Sequence, residues 1–218
     1  MNKKVLLAVL AHPDDETFGT GGTLAYYASQ GVEVHLVCAT RGEVGEVSPE
    51  LMEGYESIGE LREYELRCAA QHLGLSAVHF LDYRDSGMEG SPENHHPQAL
   101  AAANVSEVAA HVVHHIRLLH PQVVITFDPV GGYMHPDHIA IHKATVLAFH
   151  LAGDPSFSCD LFPYKPQKLY YHTISKTFLR ISVLVLRLLG KDPHHFGRNG
   201  DIDLQSIVSE GNFPAHAR

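Results

Sequence analysis

Short apolar runs alternate along the chain with longer stretches in which apolar residues recur every three or four positions. Runs of the first kind predict buried β-strands, and stretches of the second kind predict helices with one apolar face. We expect strands at residues 5–11, 32–39, 78–81, 123–127 and 168–173. We expect helices at residues 22–29, 58–73, 99–119, 136–151 and 178–189. This alternation predicts an α/β fold with a mostly parallel, doubly wound (Rossmann-like) sheet and helices on both faces.

The predicted topology also indicates where a ligand would bind. In doubly wound sheets the binding crevice lies beyond the carboxyl ends of the strands, so the loops after the first four strands should meet around one site. The regular alternation stops near residue 152. We interpret the chain as a single domain (1–218), made of an α/β core (1–152) and a C-terminal elaboration (153–218) that includes a weak strand signal at 201–204.

The composition is that of an ordinary globular protein with an excess of acidic residues. The 218 residues are 44% hydrophobic and 19% charged, with a formal net charge of −9. This sign argues against binding to nucleic-acid phosphates or to an anionic membrane, and it suits a small neutral or cationic ligand. The apolar stretch at 178–189 contains two arginines and is shorter than the ~20 residues needed to cross a bilayer, so we expect no membrane span.

Two residue types, cysteine and histidine, bear directly on the predicted function. The three cysteines form no CxxC pair, which argues against a disulfide framework and a thiolate zinc site and fits a reducing cytoplasm. The 18 histidines make metal binding and acid–base chemistry the first functions to examine, because neutral imidazole is the commonest metal ligand. His111 and His115 lie four residues apart on a predicted helix among apolar neighbours, and we interpret them as a packed or solvated face rather than as ligands.

The loop after the first strand carries unusual chemistry. The apolar run ends at once in His12-Pro13-Asp14-Asp15-Glu16, which crowds an imidazole and three carboxylates and needs a counter-charge. A divalent metal would supply it, with His12 and Asp15 as ligands and Asp14 facing the group that the metal activates. We interpret Glu16, and Glu43 in the second loop, as acceptors that fix their loops.

The loop after the fourth strand repeats this chemistry with two more imidazoles, His135 and His138. Together the two loops could build a site of two histidines and one aspartate. Three protein ligands with open coordination positions are typical of catalytic zinc, although nitrogen and carboxylate donors also suit iron, cobalt or manganese. The alternative is that these residues only cap the following helices and solvate the loops.

Five short motifs follow one another along the chain. They are Ala11-His12-Pro13-Asp14-Asp15-Glu16, Gly21-Gly22-Thr23-Leu24, Thr40-Arg41-Gly42-Glu43, Tyr83-Arg84-Asp85-Ser86-Gly87-Met88 and Gly131-Gly132-Tyr133-Met134-His135-Pro136-Asp137-His138. In type and order they resemble the PIG-L/LmbE family of zinc-dependent N-acetylglucosaminyl deacetylases over residues 4–150. The Arg-Asp-Ser-Gly-Met and Gly-Gly-Tyr pieces are most similar to the branch of the family that serves mycothiol biosynthesis.

The resemblance implies a zinc ion bound by His12, Asp15 and His138. It also implies Asp14 as the general base and His135 as the group that stabilises the oxyanion and protonates the leaving amine. The chemistry agrees on independent grounds, since amide hydrolysis needs an activated water, a base to take its proton and a donor facing the tetrahedral intermediate.

Other residues are expected to support this chemistry. Asp137 should hold the imidazole of His135 in its charged form. The resemblance assigns substrate contacts to Arg62, Asp85 and Tyr133, because a guanidinium and a carboxylate suit vicinal sugar hydroxyls and a phenol can reach a carbonyl. The alternative for these three residues is a surface ion pair and a packed tyrosine.

The sequence therefore predicts a metal-dependent hydrolase that removes acetate from an N-acetylglucosamine-type small molecule. The alternatives are an amidase acting on a thiol-sugar conjugate and a non-catalytic metal- or sugar-binding protein. Members of the family usually continue into a final helix ending in an Ala-x-x-x-His-x-Ser-Gln-like segment, which has no counterpart before Arg218. We expect either a naturally short chain or a truncated one, and we expect residues that complete the substrate pocket to be missing or to come from a neighbouring subunit of a homo-oligomer.

Overall fold

Five parallel strands form the centre of the molecule. The computed structural model describes residues 3–196, 200 and 202–210. Its strands are β1 (Val5–Leu10), β2 (Glu33–Cys38), β3 (Ala77–Phe80), β4 (Val123–Phe127) and β5 (Lys168–His172), in the spatial order β3-β2-β1-β4-β5. Every predicted strand up to residue 173 is present to within one residue at each end. The α/β fold with a parallel sheet is confirmed.

Helices cover the sheet in two layers. The helices are α1 (Gly21–Ser29), α2 (Ile58–Leu73), α3 (Val105–Leu119), the single distorted turn α4 (Gly131–Met134), α5 (Pro136–Leu151), α6 (Lys176–Leu188) and α7 (Leu204–Glu210). Helices α1 and α2 contact each other, and α3 packs extensively on α5. Right-handed crossovers place the first pair on one face of the sheet and the second pair on the other.

Local signals in the sequence set the ends of the long helices. Helix α2 begins after Ser57, whose hydroxyl accepts a hydrogen bond from the amide of Glu60 at 3.1 Å, and it ends at Gly74 with a φ of 74°. The prediction of one helix over 99–119 is wrong at its start. Asn104 caps α3 by accepting from the amide of Ser106 at 2.8 Å, so residues 100–102 form only a short 3₁₀ turn before it.

The C-terminal part of the chain packs on the core through one buried arginine. Arg117 on α3 is 2% exposed, and its guanidinium donates to five backbone carbonyls between residues 151 and 161. These carbonyls belong to the end of α5 and the loop behind it, where no strand or helix supplies partners. The arginine therefore fixes the path of the chain towards β5.

The last described elements differ from the sequence prediction. The strand expected at 201–204 falls partly outside the described residues; Ile202 forms a single antiparallel bridge with Phe196, and a helix, α7, starts at Leu204. Helix α6 buries Leu179 and Val183 on the side that faces α7 and leaves its outer apolar side chains exposed. Among the described helices, none has both the length and the apolar character that a bilayer crossing requires.

Candidate functional site

The loops after β1, β2, β3 and β4 meet at the carboxyl edge of the sheet, as the topology predicts. Nε2 of His12, in the loop after β1, lies 3.5 Å from Oδ1 of Asp85, in the loop after β3. The amide of Val44, in the loop after β2, donates to Oδ2 of Asp85 at 3.3 Å. The amide of Ser86 donates to Oδ2 of Asp137, at the start of α5, at 2.9 Å.

Three side chains from two of these loops point their donor atoms at one another. Nδ1 of His12 lies 3.2 Å from Nε2 of His138 and 3.6 Å from Oδ2 of Asp15, and Nε2 of His138 lies 3.4 Å from Oδ1 of Asp15. Ligand atoms bound to a tetrahedral ion at 2.0–2.1 Å lie roughly 3.3 Å apart. The pair of imidazole nitrogens has this spacing, and each of them faces a different carboxylate oxygen of Asp15.

Distance alone admits other ligand sets at the same place. The donor atoms of His12, His135 and His138 lie within 4.8 Å of one another, and so do those of His12, Asp85 and Asp137. His12 belongs to every set. A carboxylate among the ligands offsets part of the charge of a divalent ion, which favours the set with Asp15 over the set of three histidines. In the remaining set the carboxylate of Asp137 already accepts hydrogen bonds from the amide and the hydroxyl of Ser86.

Asp137 supports His12 rather than His135, which corrects the role expected from the sequence. Its Oδ2 lies 3.1 Å from Nε2 of His12, while its carboxylate also accepts hydrogen bonds from the amide and the hydroxyl of Ser86. The side chain is fully buried. A carboxylate on the far nitrogen of a ligating histidine fixes the orientation and basicity of that imidazole. Asp137 thus leaves Nδ1 of His12 free for a metal.

Carboxylates dominate the electrostatics of this cluster. Burial works to lower the pKa of His12, but hydrogen bonds to Asp137, Asp15 and Asp85 hold that pKa well above its usual value. Burial works to raise the pKa of Asp15, yet the neighbouring His138 and His12 lower it to about 2. At neutral pH the cluster therefore carries ionised carboxylates in a buried place, and it is suited to a cation.

Asp14 sits beside the cluster in a strained backbone conformation. Its φ is 118°, which a non-glycine residue rarely adopts, and such strain persists where the surroundings enforce it. The carboxylate of Glu16 accepts from the Asp14 amide at 2.9 Å, and Nη2 of Arg62 donates to Oδ2 of Asp14 at 2.8 Å. Burial and the nearby Asp15 raise the pKa of Asp14 to about 6, against the opposing effects of Arg62 and His12.

His135 caps α5 with its imidazole. Its Nδ1 accepts the amide hydrogen of Asp137 at 3.2 Å, so the proton of the neutral ring is on Nε2. Burial, with His12 and His138 close by, lowers the pKa of His135 to about 3. The imidazolium that the sequence interpretation gave to His135 is therefore disfavoured. In this structure the ring is a neutral donor at a helix N-terminus.

The three residues expected to contact substrate lie next to residues of the cluster. Arg62 is engaged with Asp14 and with the carbonyl of Pro13. Asp85 accepts from the amide of Gly87 at 2.8 Å and lies against His12. Arg62 forms an ion pair with the half-exposed Asp14, as the alternative expects, so the substrate contacts of these residues stay a prediction.

Tyr133 lies over the cluster from the side of α4. Its ring makes edge contacts with the imidazoles of His135 and His138, with centroids 5.9 and 5.0 Å away, and burial raises the pKa of its phenol. A Cβ on Gly131 would lie 3.0 Å from Cβ of His138, and Gly131 has a φ of 66°. Only glycine allows this turn to approach His138 so closely.

An open cleft of about 460 Å³ leads to the cluster, within the size range of small-molecule sites. It is lined by Asp15, Phe18, Tyr133, His138, His172 and Ile174, among others. His172, at the end of β5, was not singled out from the sequence, because no motif surrounds it. Ser86 was also missed as a support for Asp137, although it lies inside one of the five motifs. Glu16 and Glu43 fix loops as expected, since Glu43 accepts from the amide of Asp85 at 3.0 Å.

Known proteins share this chain's sequence and fold. The profile of the PIG-L family, described as GlcNAc-PI de-N-acetylase, matches residues 7–149. A 1D-myo-inositol 2-acetamido-2-deoxy-alpha-D-glucopyranoside deacetylase of Streptomyces avermitilis is 42% identical over 193 residues, which are 84% of this chain and 66% of the relative. The enzyme of the same name from Geodermatophilus obscurus is 41% identical over 208 residues, 91% of this chain and 70% of the relative.

A solved structure extends the similarity to the fold. The N,N'-diacetylchitobiose deacetylase of Pyrococcus horikoshii superposes with a TM-score of 0.63 at 25% identity, covering 98% of this chain and 72% of the other. The chain thus spans about two thirds of the length of these relatives. With the family profile covering most of the α/β core and the curated relatives above 40% identity, the chain belongs to the PIG-L family.

Proposed function

We propose that this protein is a zinc-dependent deacetylase that hydrolyses the N-acetyl group of an N-acetylglucosamine-type substrate and releases acetate. The observation that carries the proposal is the cluster of His12, Asp15 and His138, whose facing donor atoms are 3.2–3.6 Å apart beside the carboxylate of Asp14. The relatives from Streptomyces avermitilis and Geodermatophilus obscurus are named as deacetylases of a glucosaminyl-inositol, which supports the same reaction.

In this proposal His12, Asp15 and His138 hold the metal, and Asp137 orients His12 from behind. When bound, a divalent ion would supply Lewis acidity, which polarises the acetyl carbonyl and lowers the pKa of a water molecule towards ~7. The donor set of two imidazoles and one carboxylate favours zinc but also accepts iron, cobalt or manganese.

Asp14 and His135 act on the reacting groups. Asp14 takes the proton of the attacking water, because it adjoins the ligand Asp15 in the chain and its side chain is about half exposed. His135 donates a hydrogen bond from Nε2–H to the oxyanion, with the N-terminus of α5 adding its positive dipole. The proton held by Asp14 then passes to the leaving amine.

The substrate enters along the cleft. Tyr133 presents a protonated phenol to the acetyl carbonyl, and Asp85 and Arg62 offer a carboxylate and a guanidinium to sugar hydroxyls. We infer a glucosaminide such as the myo-inositol conjugate named for the curated relatives. A thiol-sugar conjugate is the alternative amide substrate. The three free thiols fit an enzyme of the cytoplasm.

The test combines metal analysis with acetate release. Purified protein is assayed on N-acetylglucosaminyl-inositol and on a thiol-sugar conjugate, before and after chelation and after zinc is added back. We expect activity on the first substrate that disappears with the chelator and returns with zinc. The His12→Ala variant should lose both catalytic-site metal and acetate release, whereas the control Asp160→Asn, in an exposed loop, should lose neither.

Two results would overturn the proposal. Acetate release that survives exhaustive chelation would remove the metal from the mechanism. Metal binding at His12 without hydrolysis of either substrate would leave a binding protein.

A further inference from the structure

Helix α6 carries apolar side chains on two opposite faces, of which the fold buries only one. Leu179 and Val183 are buried against α7. On the other side of the helix, six apolar side chains are 46–77% exposed: Phe178, Ile181, Leu184, Val185, Leu188 and Leu189. Their spacing of three and four residues makes them neighbours on one surface, here called the outer face of α6. A contiguous exposed apolar patch marks an interaction surface, unlike single exposed side chains.

The charge around the outer face is opposite to that of the whole chain. Residues 161–191 contain six of the 16 Lys and Arg residues and none of the 25 Asp and Glu residues, although the chain has a formal net charge of −9. On α6, Lys176, Arg180 and Arg187 are four and seven residues apart, so they lie along one side of the helix, beside the outer face. Arg180 and Arg187 are exposed, as is Lys191 just after the helix. The argument from net charge against an anionic membrane therefore does not apply to this surface.

The lack of carboxylates on α6 decides between two kinds of partner. A second copy of this chain would bring the same outer face and the same cations against the first. In an antiparallel pair related by a two-fold axis, the cationic sides of the two helices become neighbours, and neither helix offers a carboxylate to neutralise them. The nearby α7 does not neutralise them either, since Arg187 donates to the uncharged amide group of Gln205 at 3.0 Å. An anionic surface supplies the counter-charge that a second copy lacks.

We propose that α6 docks this protein on the surface of a lipid bilayer that carries anionic headgroups. The outer face enters the boundary between headgroups and acyl chains, and the flanking cations bind the headgroup phosphates. Helices that lie in this layer combine an apolar face rich in Phe and Leu with Lys and Arg beside it, as α6 does. The outer face itself contains no charged residue, so its burial in the boundary layer leaves no charge unpaired.

The chain contains no tryptophan, which allows a readout at a single position. Leu188→Trp places an indole on the outer face, and Leu118→Trp, at an exposed leucine in the last turn of α3, is the matched control. With vesicles that contain phosphatidylglycerol, the emission of Leu188→Trp should shift to shorter wavelength and be quenched by brominated acyl chains, because the indole leaves water. The emission of Leu118→Trp should not change.

Co-flotation with vesicles measures the affinity of variants without a probe. Leu188→Glu should abolish binding to phosphatidylglycerol vesicles, whereas Leu118→Glu should leave it unchanged. Arg180→Gln and Arg187→Gln should each weaken binding about fivefold, and added salt should weaken the binding of the wild type. Leu188→Glu should keep its acetate release from a water-soluble substrate, so a failure of docking is distinguished from a failure of the proposed deacetylase.

Three results would overturn the proposal. The first is a wild-type protein that does not bind anionic vesicles. The second is binding that is equally strong on pure phosphatidylcholine and in the two arginine variants, because the cations would then have no role. The third is a dimer in sedimentation velocity that disappears in Leu188→Glu, which would show that a second copy of the chain covers the outer face.

Discussion

Two histidine clusters in this molecule share a local design and differ in charge. In the deacetylase centre, His12 has Asp137 behind Nε2 at 3.1 Å and His138 in front of Nδ1 at 3.2 Å. The second cluster, here called the strand cluster, consists of His35 on β2, His79 on β3 and the neighbouring His115 on α3. In it, His35 has Glu33 behind Nε2 at 3.7 Å and His79 in front of Nδ1 at 3.4 Å. The pKa of His12 is raised, whereas burial lowers the pKa of His35 and His79.

The difference shows what decides the protonation of a buried imidazole. Both clusters are desolvated, and desolvation alone favours the neutral ring. Three carboxylates facing His12 overcome that effect, while the single, half-exposed and more distant Glu33 does not overcome it at His35. Carboxylates therefore make the cluster around His12 suited to a cation, whereas the imidazoles of the other cluster stay neutral.

The largest effect on activity should come from replacing Asp14, the carboxylate that we propose as the base. Asp14→Asn keeps the size of the side chain and its contact with Arg62 but removes the base. We expect kcat for acetate release to fall by about 10²–10⁴-fold while the metal content stays the same. Steady-state kinetics with elemental analysis measures both. Full activity in Asp14→Asn would show that another group accepts the proton of the water.

The next largest effect on activity should come from replacing His135, the imidazole that we assign as a neutral hydrogen-bond donor. His135→Ala should lower kcat by about 10²–10³-fold, the usual cost of one oxyanion donor. His135→Gln keeps a hydrogen-bond donor but cannot act as an acid, so it should recover part of the loss. If Gln were as inactive as Ala while both variants kept their metal, proton transfer from His135 would replace hydrogen bonding as its role.

A smaller effect should follow from weakening the support of His12. Ser86 donates its amide and its hydroxyl to the carboxylate of Asp137. Ser86→Ala removes one of these bonds and loosens the orientation of His12. We expect metal affinity to fall by about 10–100-fold, measured by competition with a chelator, with little change in kcat at saturating metal. Unchanged affinity would mean that the amide alone holds Asp137.

The two clusters also show which parts of the fold and of the site could be predicted from the sequence. The strands and the meeting of four loops at one edge of the sheet were predicted from periodicity. Each run from β1 to β4 is bounded by polar residues or glycine. His12, Asp15 and His138 were predicted because they lie in motifs. The support of His12 by Asp137 was not, since both residues are adjacent only in space.

The strand cluster was beyond sequence reasoning for the same reason. The helical spacing of His111 and His115 is visible in the sequence, but the neighbours of His115 come from β3 and β2, about 40 and 80 residues earlier. The start of α3 was misplaced because the apolar pattern begins at residue 99, whereas the helix begins only after its capping residue, Asn104. Such local caps compete with periodicity and decide where a helix begins.

The smallest effect is on stability and tests the neutral state of the strand cluster. Burial, with His79 and other imidazoles nearby, lowers the pKa of His115 from 6.5 to about 4. The unfolded chain therefore binds this proton more readily than the folded protein does. Stability contributed by the neutral ring is present above about pH 6.5 and is lost as the pH falls towards about 4.

Urea unfolding of chelated protein at about pH 7 and about pH 4.5 measures this loss. Replacing His115 by Gln should reduce the drop in unfolding free energy between the two conditions by about 1 kcal/mol. This is well below the roughly 3 kcal/mol that the whole pKa shift would give at 1.36 kcal/mol per unit, because solvent screens a partly exposed ring. The exposed neighbour variant His114→Gln should leave the drop unchanged. An equal drop in wild type and His115→Gln would mean that His115 takes up its proton without cost, and the contrast between the two clusters would then rest on His35 and His79 alone.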